Sequence, residues 1–340
     1  MKCINDERQD KHYPKSYLIN GIREPNPESP DRIGMLLDGA RAAGMTIEAP
    51  QDYGRDCLLA VHPERYLTFL ENAALRWSRI KGAADEVTPN IHPINRDGEY
   101  PKSVVAQAGF HMADASCPIS NDTWESTQWS AWSAVHAAQS VLAGENACYA
   151  LSRPPGHHAG PEIAGGFCYL NNSAIAAEQL RQRYDRVAIL DVDLHHGNGT
   201  QMCFYDRADV FTVSLHAHPE RFYPFFWGYA SETGEGEGKG FNLNFPLPRG
   251  TADEIYLQTL DQAIAAIDQY QPQALVVALG LDGFEGDPIA GLAISTQGFH
   301  AIGEQIASKL TLPTVIVQEG GYPCPELGEN LTAFISGFES

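Results

Sequence analysis

The chain has 340 residues, a formal charge of −20, and 43% hydrophobic against 19% charged residues. That balance excludes a disordered or fibrous chain, and no apolar run approaches the roughly 20 residues needed to cross a bilayer. Non-specific binding to nucleic acid, which rests on clustered Lys and Arg, is disfavoured, whereas the acidity suits steering of a cationic substrate or simply a soluble surface.

Taken in chain order, the opening MKCINDERQDKHYPK has no apolar signal core, so a cytoplasmic location is expected. Seven scattered cysteines, odd in number and without C-x-x-C spacing, fit reduced thiols. Helical patterns occupy residues 30–43 and 123–143. Segment 79–121 lies between them and includes TPNIHPINRDGEYP. It is too long and irregular for a routine connection, and reads as a functional, disordered or interface insertion. Apolar runs of strand length then follow at 147–151, 187–192, 210–215, 274–280 and 314–318, and the last four are nearly continuous rather than alternating, as in strands covered on both faces. Helical stretches at 252–270 and 296–310 separate the later runs. The pattern predicts an α/β fold with a mostly parallel sheet flanked by helices, joined by right-handed crossovers. Without a repeat or Gly/Ser linker, one domain spanning 1–340 is the simplest organisation.

Ligands of such sheets bind beyond the carboxyl ends of the strands, and there the polar residues collect. One run ends in Asp191-Val192-Asp193-Leu194-His195-His196, the next in Ser214-Leu215-His216, the third in Gly280-Leu281-Asp282 and the last in Glu319-Gly320-Gly321-Tyr322. A fifth element, Arg153-Pro154-Pro155-Gly156-His157-His158-Ala159-Gly160, holds paired histidines in a backbone stiffened by proline and bent by glycine. Asp193, His195 and Asp282 can bind a divalent metal and leave coordination positions open. Helix capping would account for one of these carboxylates and hardly for all.

The motifs RPPGHHAG, GGFCYLNNSAIAA, ILDVDLHHGNGTQ, FYDRADVFTVSLH, LGLDGFEGDP and EGGYP resemble those of the zinc-dependent histone deacetylase family, and within it the bacterial acetylpolyamine amidohydrolases, with the arginase/deacetylase fold. The resemblance runs from about residue 61 to near the C-terminus, with a weaker match in EPNPESPDRIGMLLDGARAAG. It implies Asp193, His195 and Asp282 as Zn2+ ligands, with the metal polarising an acetyl carbonyl and acidifying a water. His158 is then the general base and acid, and His157 adjusts the site electrostatically. Asp191 orients His157, and Asn198 partners His158 as an uncharged amide, which leaves that imidazole less basic than a carboxylate would. Tyr322 matches the oxyanion donor. Gly166 and Phe167 match one side of a substrate tunnel, and Tyr223 stands where the family usually has Phe. A structural K+ site is implied at Asp191, Asp193, His195, Ser214 and Leu215. A second, supported by Phe204 and Val210, meets Arg207 where a smaller residue is common. The arginases need further ligands for two manganese ions, and this chain has Leu194 and Gly283 near those places.

By the same resemblance, segment 79–121 forms a homodimer that narrows the tunnel, so that a slender acetylated amine enters; the charge and the lack of a long apolar run leave neither nucleic acid nor membrane as a partner. The acidic residues that would hold a polyamine's far ammonium are replaced near Val105 and Ser116, with Glu99 and Asp114 close in sequence. Acetylpolyamine deacetylation is the preferred reading. Removal of acetyl from lysine side chains or other acyl amines is the alternative, and a silent binding module is a third reading that the intact site argues against.

Overall fold

The computed structural model describes all of residues 1–340. Its strands are β1 (Lys2–Ile4), β2 (Ser16–Ile19), β3 (Ile22–Pro25), β4 (Thr46–Glu48), β5 (Ala147–Ala150), β6 (Val187–Asp191), β7 (Val210–Ala217), β8 (Asn242–Leu247), β9 (Ala274–Leu279) and β10 (Thr314–Gln318). Its helices are α1 (Asp31–Ala42), α2 (Asp56–Leu59), α3 (Glu64–Trp77), α4 (Val104–His111), α5 (Thr123–Leu142), α6 (Asn172–Arg181), α7 (Asn198–Phe204), α8 (Asp253–Tyr270), α9 (Thr296–Lys309) and α10 (Leu327–Phe338).

Eight strands form one sheet in the order β4-β1-β5-β10-β9-β6-β7-β8, with every pairing parallel. The continuous apolar runs are its interior, because both faces are covered. In β6, Ala188 and Leu190 pack into the core under α8, α9 and α10, while Val187 and Ile189 point into the opposite core under α5 and α6. Each such side chain taken fully out of water contributes about 1.5–3 kcal/mol. A third cluster joins α3, α4 and the start of α5 around Tyr66, Leu67, Trp129 and Trp132.

Several elements escape the sequence expectation, among them the short strands β1 and β4 and the hairpin of β2 and β3. β8 escapes a search for unbroken apolar runs because it is an edge strand of mixed burial, NLNFPL, with Pro246 inside it. Segment 79–121 is not wholly irregular: VVAQAGFH forms α4, which buries Val104, Ala108 and Phe110 against its neighbours, and Val87 bridges to Ile119. Residues 91–99 are exposed.

Register aligns the carboxyl ends of the central strands, with Asp191 beside Ala278 and Ser214, and Gln318 beside Leu279. The five polar motifs lie at or just beyond the carboxyl ends of β5, β10, β9, β6 and β7, with Ser214–His216 in the last residues of β7, and these strands are consecutive neighbours in the sheet.

Below the rim a buried ion cluster ties distant segments together. Glu28 Oε1 lies 2.9 Å from Arg32 Nη1 and 2.7 Å from Arg153 Nε, with all three side chains at most 1% exposed. Arg32 donates to the carbonyls of Glu319 and Gly321, both at 2.6 Å. Arg153 donates to the carbonyls of Gln9 and His12 at 2.8 and 2.6 Å. Glu28→Ala leaves two buried guanidiniums without their counter-charge, and we expect it to lower unfolding free energy by about 3–5 kcal/mol in urea titration.

Candidate active site

Asp193 leaves the end of β6 in a turn that its own carboxylate organises: Oδ1 accepts the His195 N–H at 2.8 Å, and Oδ2 accepts the Gly320 N–H at 2.7 Å. Asp282 Oδ1 accepts the Leu194 N–H at 3.0 Å, which fastens the end of β9 to the end of β6. Its Oδ2 is buried, makes no hydrogen bond, and lies 3.0 Å from His195 Nδ1. One donor atom from each of Asp193, His195 and Asp282 falls within 4.8 Å of the others.

This donor set fits a divalent metal. Burial pushes the Asp282 carboxyl up, and the neighbouring Asp193 charge pushes it further. Burial would lower His195, but its hydrogen bond to Asp193 and the close negative charges of Asp193 and Asp282 outweigh it and raise its pKa to about 10. Negative charge therefore exceeds what the protein itself neutralises at this point, which is the condition a cation relieves. Room for the carboxylates comes from glycine, since a Cβ on Gly280 would lie 2.2 Å from Asp193 Oδ2, and one on Gly320 would lie 2.4 Å from Asp282 Oδ2.

The paired histidines sit beside this group, and each has its own partner. His157 Nδ1 is 2.9 Å from Asp191 Oδ2, and its Nε2 is 3.7 Å from Asp193 Oδ1. Burial opposes its charge, yet Asp193 and Asp191 prevail and hold its pKa well above the usual imidazole value. His158 Nδ1 is 2.7 Å from Asn198 Oδ1, and burial, reinforced by the charges of His157 and His195, holds His158 well below that value. An amide oxygen only accepts, so Nδ1 of His158 carries the proton and Nε2 keeps its lone pair. Two adjacent imidazoles are thereby driven in opposite directions.

Glu319 fixes the loop that carries them. It is fully buried, accepts the N–H groups of Gly156 and His157 at 2.6 and 2.9 Å through Oε2, and accepts the Ser173 hydroxyl at 2.7 Å through Oε1. The sequence marked Glu319 only as a polar strand end. Asp287 was missed altogether: its Oδ2 accepts the Tyr322 N–H at 2.9 Å and its Oδ1 the Ile289 N–H at 2.8 Å, anchoring the backbone of Tyr322. An acidic residue directly after an apolar run was the available signal for the first; the second stands at the end of the LGLDGFEGDP motif, which gave it no role of its own.

A cavity of about 520 Å³ rises from His158, His195 and Tyr322 to exposed residues on the hairpin of β2 and β3 and on the loop after β7. Gly166 and Phe167 form one wall, facing Tyr223. Gly166 has φ +52°, and a Cβ there would lie 2.5 Å from the His158 ring and 2.8 Å from the Tyr223 ring, so only glycine lets the walls close on the imidazole. The Tyr223 hydroxyl donates to Asp114 Oδ2 at 2.7 Å, and the same oxygen accepts the Gly166 N–H at 3.1 Å. Asp114 thus latches the two walls together. Ser116 lines the cavity, whereas Glu99 lines a separate hollow with Ile91, Pro101 and Phe110.

Asp191 and Ser214 border a small buried void on the other side of β6, and Leu215 packs into the core one residue beyond. Arg207 is engaged with Asp209 at 2.8 Å and with Glu178. Leu194 and Gly283 supply no donor to the Asp193–His195–Asp282 group.

The model of the histone deacetylase domain matches residues 26–338. The acetylpolyamine amidohydrolase of Burkholderia pseudomallei is 44% identical over 331 residues, covering 97% of this chain and 96% of that protein. Acetylpolyamine amidohydrolase 1 of Pseudomonas aeruginosa is 40% identical, covering 100% of this chain and 99% of the relative. A crystal structure of the acetylpolyamine aminohydrolase from Burkholderia pseudomallei superposes with a TM-score of 0.97 at 43% identity, covering 100% and 99% of the two chains. A sheet that brings a buried Asp-His-Asp group and oppositely tuned histidines to one tunnel, together with a match over nearly the whole length, establishes that the chain belongs to the histone deacetylase family.

Proposed function

We propose that this protein is a zinc-dependent amidohydrolase that removes acetyl groups from small acetylated amines, acetylated polyamines foremost. The observation that carries the reading is the buried Asp193–His195–Asp282 group at the closed end of a narrow tunnel, with an unpartnered Asp282 oxygen. Those three residues would hold Zn2+. When bound, the metal polarises the acetyl carbonyl and lowers the pKa of a water.

The remaining work falls to the chain's own side chains. Gly166, Phe167 and Tyr223 hold the slender methylene chain and exclude bulk water from the amide. His158, neutral at pH 7 and with its Nδ1 proton tied to Asn198, takes a proton at Nε2 and returns one to the departing amine nitrogen. His157, kept cationic by Asp193 and Asp191, stabilises negative charge developing beside it. Tyr322, on the tunnel wall, donates its hydroxyl to the carbonyl oxygen as that oxygen becomes an oxyanion. Its phenol stays protonated, because burial and the Asp282 charge push its pKa up.

K+ at Asp191, Ser214 and Leu215, with the backbone of Asp193 and His195, would brace the turn after β6. We place residues 1–340 in a single catalytic domain and assign the 79–121 segment to a homodimer contact, which the exposure of Ile91 and Ile94 supports. No helix is long and apolar enough to cross a membrane, and seven free thiols suit the reducing cytoplasm.

Acetate release from N-acetylputrescine should require one equivalent of Zn2+, stop on chelation, and return when zinc is restored; the absence of acetate release from any acetylated amine would refute the reading. Tyr322→Phe should lower kcat by about 10²-fold or more while zinc content is unchanged. Asn198→Asp places a charge beside His158 and favours its imidazolium, so the neutral base is lost at higher pH. The acid limb of kcat/KM should then move upward in the pH–rate profile.

A further inference from the structure

The mouth of the tunnel has a charge pattern that an acetylpolyamine does not explain. Apart from the histidines at its closed end, the only charged side chains lining the cavity are Arg221 and Arg249; no Asp or Glu lines it. Both arginines are exposed, and neither makes an ion pair or side-chain hydrogen bond, although nine other arginines make eleven charged pairs within a protein of net charge −20. They also flank one adjoining hollow, and the Arg249 guanidinium lies 5.6 Å from the centre of the Phe222 ring. Glu220 lies in that hollow without pairing to either. Asp114 does not line the cavity: its Oδ2 accepts from Tyr223 and Gly166, and its Oδ1 accepts the Ser116 N–H at 2.8 Å.

We propose that Arg221 and Arg249 form an anion-binding collar, and that the enzyme accepts, beside acetylated amines with an ammonium end, acetylated amines whose far end is a carboxylate: ω-N-acetylated amino acids. The inference rests on the amidohydrolase reading of the same tunnel. The reaction is ordinary hydrolysis. The amide C–N bond breaks, a C–O bond forms from water, and both of the water's protons end on the amine nitrogen, leaving acetate and the ω-amino acid in its ammonium form. A guanidinium presents paired N–H donors to the two carboxylate oxygens, whereas an ammonium in the same position meets only repulsion. Because the collar is exposed, its attraction weakens as salt is added.

The test compares N-acetylputrescine with 4-acetamidobutyrate and 6-acetamidohexanoate on the zinc-loaded full chain. At least one of the two carboxylates should be hydrolysed, with kcat/KM falling as salt rises. Arg221→Glu and Arg249→Glu should each lower that value by about tenfold or more and raise the value for N-acetylputrescine. Calorimetric binding of 6-aminohexanoate, the product, should weaken in the same variants. Turnover of N-acetylputrescine with none of the carboxylates hydrolysed would overturn the collar and leave the amidohydrolase reading standing. Carboxylate turnover indifferent to both charge reversals would also overturn it, and turnover of no substrate at all would sink both ideas.

Discussion

Everything at this site depends on burying carboxylates that have too few partners. Asp191, Asp193, Asp282 and Glu319 converge at the carboxyl ends of β6, β9 and β10, and none is more than 3% exposed. An unpaired buried charge is costly, so each acid is surrounded by what the fold can supply. Asp193 and Glu319 take main-chain N–H groups, Asp191 takes an imidazole, and Asp282 takes one N–H and keeps an oxygen in reserve. The glycines at 280 and 320 follow from that crowding, as any side chain would displace a carboxylate.

The same economy explains how two adjacent residues of identical type acquire different chemistry. Asp191 and Asp193 turn His157 into a cation, and the amide of Asn198 leaves the adjacent His158 neutral. The difference comes from the β6 turn and the start of α7, which deliver an acid to one ring and an amide to the other. Below them, Glu28 binds Arg32 and Arg153, and through Arg32 it reaches the carbonyls of Glu319 and Gly321. The N-terminal segment, α1, the histidine loop and the tyrosine loop are therefore held as one rigid frame.

Above the histidines the tunnel is made by contact between segments remote in the chain. Asp114 closes on Tyr223 across 109 residues, and the hydroxyl that a Phe would lack is what makes that latch possible. The rim then passes from apolar walls to two free guanidiniums, so the local charge at the entrance opposes the acidity of the molecule as a whole.

Much of this can be read along the chain because it is local. The buried strands announce themselves as unbroken apolar runs, and a run that breaks into Asp-x-Asp-x-His-His has already delivered two of the three grouped donors within one turn. What lies outside local pattern was decided by tertiary contact. The edge strand β8 has no distinctive period, and α4 is helical because of the helices it packs on. Glu319 acquires its task from loop amides 162 and 163 residues away, and Asp287 from the Tyr322 amide 35 residues on. Arg221 and Arg249 meet only because the loops after β7 and β8 end at the same tunnel. Sequence carries the periodicity of burial and the residue types at strand ends; which charges face one another depends on distances that exist only once the sheet has closed.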